Sequence, residues 1–230
     1  MASAGFSAPV NYWGSITGLT PKSSSDGKQS SVAEAPDEYG DTVAHDVYGE
    51  TLAPSTEYAV TGEVDLSDIV LGSIHTFNTN KKLMLTTVSI TTQAGNPPTV
   101  TISGVEVESG ATAKRTYELE GTLTPRSKAQ DVFGAFTAST NFTQINATAQ
   151  VDPHVQTVGG TPVASDASHG RIEVQATLTD AAGNGTITAA TNGGFTVTAV
   201  PAENDPDANY ITRSATATKF IDGEEQASGT

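Results

Sequence analysis

Two short stretches of the chain read alike, AHDVYG at residues 44–49 and AQDVFG at 129–134. An internal repeat constrains architecture more than any local propensity, because each copy must be a unit that folds in the same way. Three further anchors follow in the same order. TGEVD at 61–65 answers TAQVD at 148–152, SITTQAGN at 89–96 answers TLTDAAGN at 177–184, and TVTISGVEVESGA at 99–111 answers TVTAVPAENDPDA at 196–208. The spacing between partners only grows. Its largest step falls in GNGTITAATNGG at 183–194, where Gly and Asn mark a loop that absorbs an insertion at little cost. The pattern predicts a duplication: an N-terminal arm at 1–40, a first β domain at 41–123, a second at 124–221 and a tail at 222–230.

The periodicity within each copy is that of strands. Met84, Thr86, Val88 and Ile90 share one face of an extended segment, as do Ile172, Val174, Ala176 and Leu178 in the second copy. AGN at 94–96 supplies a turn, and TVTISGVEV resumes the alternation, which reads as a hairpin. EYAVTGEV, NFTQINATAQV, GFTVTAV, KRTYELEG and ITRSATATKF read as further strands. A short helix is expected at SDIVLGSI with Ser67 as N-cap, and a turn or two of helix at PRSKAQDVFGAFT. The expected fold is all-β and mainly antiparallel, two tandem sandwich- or barrel-like domains with an extended N-terminal arm.

Composition excludes several functions. The formal net charge is −15, and eleven Lys and Arg are too few and too scattered for binding nucleic acid by phosphate neutralisation. Arg115, Arg126, Arg171 and Arg213 are better suited to pairing with carboxylates at subunit contacts. There is no cysteine, so disulfides, thiolate metal sites and Cys nucleophiles are absent. The N-terminus has neither a basic region nor an apolar run, and nowhere do eighteen apolar residues follow one another, so a protein made in the cytoplasm and kept off membranes is expected.

No GxSxG, GxxxxGK[ST] or GxGxxG occurs, and His45, His75, His154 and His169 show no zinc-ligand spacing. Neither an enzyme, a cofactor nor a bound metal is expected. Glu203, Asp205 and Asp207 offer oxygens to calcium but lack the spacing of a calcium loop, and a solvated turn is the simpler reading. The stretch PKSSSDGKQSSVAEAPDEYGD at 21–41 is too polar to bury and is expected to be a flexible arm or long loop. Before it stand Phe6, Tyr12 and Trp13, which either dock on their own domain or anchor a neighbouring subunit.

EYGDTVAHDVYGETLAPSTEYAV at 38–60 and the closing DANYITRSATATKF at 207–220 resemble the modules of bacteriophage virion structural proteins, tail tube proteins in particular. The resemblance covers most of residues 35–221 and rests on the style and length of the modules. It implies a self-assembling structural protein whose duplicated domain lets a trimeric ring imitate a hexamer. Rings would stack through loops and the N-terminal arm, with an acidic lumen that DNA passes without specific binding. The implied partners are further copies of itself and other virion proteins, with assembly in the host cytoplasm and residence in the virion. A capsid decoration or head-tail connector protein, and a glycan-binding adhesin module, remain the alternatives.

Overall fold

The computed structural model describes residues 8–36, 42–78, 81–138, 142–158, 161–180, 187–189, 194–199, 211–222 and 224–225. Strands dominate them. The first half carries β1 (Leu19–Ser25), β2 (Gln29–Pro36), β3 (Thr42–Thr51), β4 (Ser55–Val60), β5 (Val64–Asp65), β6 (Ile74–Asn78), β7 (Lys81–Gln93), β8 (Asn96–Val107), β9 (Arg115–Thr116) and β10 (Thr122–Leu123). The second carries β11 (Phe136–Ala138), β12 (Gln144–Val158), β13 (Thr161–Asp180), β14 (Ile187–Ala189), β15 (Thr196–Ala199), β16 (Ile211–Phe220) and β17 (Glu224–Glu225). All pairings among them are antiparallel. The all-β fold expected from the alternation is the fold observed.

Nine strands form one sheet in the order β1-β4-β8-β7-β12-β13-β16-β15, with β6 also on β7. That sheet crosses the expected domain boundary. β7 and β12 pair from Thr87↔Gln150 to Gln93↔Gln144, so strands assigned to separate domains share a ladder. Their buried side chains also merge into a single cluster running from Tyr12 to Ala217. One core replaces the two that were expected.

The alternation itself reads correctly. Ile172, Val174, Ala176 and Leu178 are all buried, as are Met84, Thr86, Val88 and Ile90. Leu83 and Leu85 are buried too, so the start of β7 is covered on both faces. Its cover comes from the short connections: Val64, Leu66, Ile69, Leu71, Leu119 and Leu123 join the same cluster and give the molecule a sandwich-like second layer. The β7–β8 hairpin turns at Gly95, whose φ of +89° suits glycine.

The repeat does not extend to the structure. DVYG lies within β3, whereas DVFG forms a turn closed by Gly134 at φ +62°. TGEVD leads through β5 into a 3-10 turn, whereas TAQVD lies inside β12. Pairing differs as well, since β8 sits between β4 and β7 while β15 is an edge beside β16. The physical reason is that strand geometry is set by the partner across the ladder, and similar tetrapeptides with different partners adopt different backbones.

Both expected helices are corrected. SDIVLGSI contributes only to a single 3-10 turn at Leu66–Asp68, capped by Asp65, whose carboxylate accepts from Ser67 N and Ser67 Oγ, so Ser67 is not the cap. PRSKAQDVFGAFT has no helix; the Gln130 side chain accepts from Thr124 N and donates to the Thr124 and Arg126 carbonyls, folding 124–130 into turns. The polar stretch after residue 20 is also not a loose arm. β1 pairs with β4, and β2 pairs with β3 from Gln29↔Thr51 to Pro36↔Thr42. Backbone pairing needs no apolar side chain, which is why composition missed these strands.

Candidate functional site

The aromatic pair nominated as a subunit contact lies inside its own chain. Trp13 is 2% exposed and Tyr12 6% exposed. The Trp13 indole N–H donates to the Ile102 carbonyl at 3.1 Å, and its ring meets His75 edge-on at 5.7 Å. Tyr12 packs on Phe77 at 4.8 Å, while Asn11 accepts from the Tyr58 hydroxyl at 2.7 Å. Of the two readings the sequence left open for Tyr12 and Trp13, this geometry is docking on the chain's own core. Phe6 lies outside the described residues. The signal available in the sequence was Gly104: a β-carbon there would meet the Met84 carbonyl and the Trp13 ring, so the glycine opens the slot that the indole fills.

Two long ribbons are the most distinctive features left for function. β2 and β3 form one, outside the nine-stranded sheet. The other is the outer part of β12 and β13, from Asp152↔Ser168 to Val158↔Thr161, beyond the stretch of β12 that pairs with β7. Glu106 anchors the first ribbon at its base, accepting from Leu52 N at 2.9 Å and from Lys81 Nζ at 3.0 Å. Thr51, Leu52, Pro153 and Val155 line one cavity, which brings the bases of both ribbons together. Val158, near the far end of the second ribbon, is 69% exposed.

The titratable groups that are withdrawn from solvent serve the fold. Burial pushes the Asp131 carboxyl above its ordinary value, against the opposing pull of the backbone N–H groups of residues 133–136, of which Phe136 N donates to Asp131 Oδ2 at 2.7 Å. Ser73 and His75 approach to 2.9 Å, a distance that invites comparison with a nucleophile and its base. Yet the Ser73 hydroxyl hydrogen goes to the Val70 carbonyl at 2.6 Å, so Nε2 of His75 donates to Ser73 Oγ and does not deprotonate it. The pair braces the turn beneath Trp13.

His75 gives the fold a pH dependence. Burial pushes its imidazole below the ordinary 6.5, so the unfolded chain takes up this proton more readily than the folded one. Its contribution to stability is complete above about 6.5 and is lost as the pH falls through the depressed folded value. We expect the unfolding midpoint of His75→Gln to fall less on acidification than that of the parent, as followed by circular dichroism melts. Equal falls in the two proteins would show that His75 is not responsible.

Among the described residues, no three His, Asp or Glu side chains stand at metal-ligand spacing. Glu203, Asp205 and Asp207 fall outside the described residues, as does any reading of them. A cleft of about 360 Å³, lined by Glu118, Glu120, Phe133, Phe195, Lys219 and Phe220, is open to solvent. Lys219 Nζ lies 5.8 Å from the centre of the Phe195 ring, so a cation of the chain itself lies over the ring. No protein-family model and no curated protein matches the chain.

Proposed function

We propose that the chain is a structural, self-assembling subunit of a phage particle, a tail tube protein whose copies close into rings that stack. The observation that carries this reading is the pair of long ribbons, β2–β3 outside the nine-stranded sheet and the outer β12–β13 continuing it, together with the two ends of that sheet, β1 and β15. A two-stranded ribbon alone is marginal in water, and an open sheet end is a template for pairing. Contacts with neighbouring copies in a closed ring relieve both. The net charge of −15 fits a lumen that keeps DNA from sticking as it passes.

Three subunits standing for six would require two equivalent halves, and the strand pairing of the halves differs. The glycan-binding alternative wants exposed aromatic rings, and the burial of Tyr12, Trp13, Tyr58 and Tyr117 counts against it. Negative-stain electron microscopy of the purified full-length chain over a range of concentrations tests the proposal. Hollow tubes or stacked rings are the expected result. Dispersed monomers would overturn it, and closed trimers that never stack would point to capsid decoration.

A further inference from the structure

Two parts of the surface carry opposite charges with no partner among the described residues. The first is the exposed loop PRSK at 125–128. Arg126 N donates to the Thr124 carbonyl and Lys128 N to the Arg126 carbonyl, both at 2.8 Å, while Gly95 N in the β7–β8 turn donates to the Ser127 carbonyl at 3.0 Å. The Gln130 side chain ties the same turns, so the loop is held in shape before it meets anything. Lys22 and Lys81 hold Glu57 and Glu106, and Lys82 donates to the Ala111 carbonyl. By contrast, among the described residues no carboxylate pairs with Arg126 or Lys128.

The second is the cleft of about 360 Å³ beside the end of β16. Glu118 and Glu120 alternate with buried Tyr117 and Leu119, and both are exposed where they line it. Asp222 adds a third exposed carboxylate, and among the described residues none of the three has an ion pair. One cation stands against them, Lys219, and it lies over the Phe195 ring. Phe220 lines both this cleft and an adjoining one of about 340 Å³, and it is 75% exposed. A ring that bare gains from being covered. Carboxylates set among aromatic rings suit a cation carried on an apolar stem, as arginine and lysine carry theirs.

The ladder sets the two patches apart along the strands. Gln93, Gln144, Thr177 and Ser214 stand level across β7, β12, β13 and β16, next to the turn that holds the loop. Phe220 lies beyond Ser214 on β16, roughly 20 Å further along at the rise of a strand. We propose that the PRSK loop of one copy of the chain seats in this cleft of the next, with Arg126 and Lys128 against Glu118, Glu120 and Asp222 and with Phe220 covered by the contact. A second copy is the occupant because the chain itself supplies both complements. Copies of net charge −15 repel one another as wholes, so locally opposed patches set how they approach. The patches are different and far apart, so the contact is heterologous and repeats from copy to copy, closing a ring or continuing as a stack. This inference rests on the self-assembling reading and names a contact for it.

The test is sedimentation velocity of the full-length chain over a range of concentrations, beside carbodiimide cross-linking of a mixture of unlabelled and isotope-labelled protein read by mass spectrometry. The expected cross-links join Lys128 of one chain to Glu118, Glu120 or Asp222 of another, pairing labelled with unlabelled copies. Arg126→Glu with Lys128→Glu weakens association about ten-fold or more, and so does Glu118→Lys with Glu120→Lys. Mixing the two charge-reversed proteins restores it, because each loop then meets a cleft of opposite sign. All four positions are exposed, so the variants melt as the parent does. Should one of them fail to fold, Phe220→Ser and the cross-links decide, the substitution weakening association. A parent that associates while the reversed proteins associate equally well, or that gives no Lys128 cross-link between chains, overturns this contact and leaves the self-assembling reading standing. A parent that stays monomeric overturns both, and capture of an arginine-rich peptide by that monomer would assign the cleft to a foreign basic partner.

Discussion

Trp13→Ala is expected to cost about 3–5 kcal/mol of folding stability, the range for truncating a buried tryptophan. At this chain length that corresponds to a fall in Tm on the order of 10 °C. The reasons are additive in kind. The substitution empties a slot bounded by β8, removes the donor to the Ile102 carbonyl, and leaves that carbonyl without the indole. Trp13→Phe separates the parts, since it keeps much of the apolar area and loses the hydrogen bond, for a smaller cost of about 1 kcal/mol. Gly104→Ala attacks the same slot from the other side, pressing a methyl on the Met84 carbonyl and the Trp13 ring, and is expected to cost about 1–3 kcal/mol. In the Trp13→Ala background its cost should shrink, because one of the two obstacles is gone. Urea unfolding of the four proteins measures the coupling. A Trp13→Ala protein as stable as the parent would mean that the N-terminal segment does not dock as described.

The chain cut after residue 123 is expected not to fold at all. A genuine tandem domain would survive the cut, giving a cooperative melt. In this sheet the cut removes β12 from the β7 edge and exposes Val88 and Ile90, which are about 1% exposed in the intact chain. It also removes Ile145, Ala147, Val174 and Ala217 from the common cluster. A fragment that has lost that much apolar burial falls below the margin of a few kcal/mol on which domains persist. The expected result is a broad, non-cooperative thermal profile and collapsed amide dispersion in NMR. A sharp two-state melt from residues 1–123 would restore the two-domain reading.

What could be read from the sequence followed from side-chain period, and what could not followed from partner choice. The faces of β7 and β13 are plain in the alternation of Val88 with Ile90 and of Val174 with Leu178, because burial on one side of a sheet writes period two directly. The antiparallel all-β class followed. The fusion of both halves into one sheet did not, since nothing local in TTVSITTQ names QINATAQ as its neighbour rather than a strand of its own half. β2 escaped notice because its residues include Ser, Glu and Pro, and the backbone pairing that defines it leaves no apolar trace. The direction of Trp13 is set by a partner far along the chain, Gly104, whose missing side chain makes room for the indole. The approach of Asp152 to Ser168 and His169 was hidden for a related reason. They lie on opposite strands of one hairpin, and only the slipped register at Gln150/Asp152 brings them level.

The ladder between β7 and β12 also dictates when the molecule can fold. A ribosome adding roughly 5–20 residues per second exposes β7, with its open edge, seconds before β12 has cleared the exit tunnel. The latest pairing among the described residues waits longer still, because β17 at Glu224–Glu225 closes onto β9 at Arg115–Thr116 only after residue 225 has emerged. Sheets assembled from such distant segments form slowly, since loop closure must precede the contacts that reward it. The nascent first half therefore spends its early life as an unsealed strand edge. Expression at low temperature or with abundant chaperone should raise the soluble yield more than it does for a protein of separately folding halves.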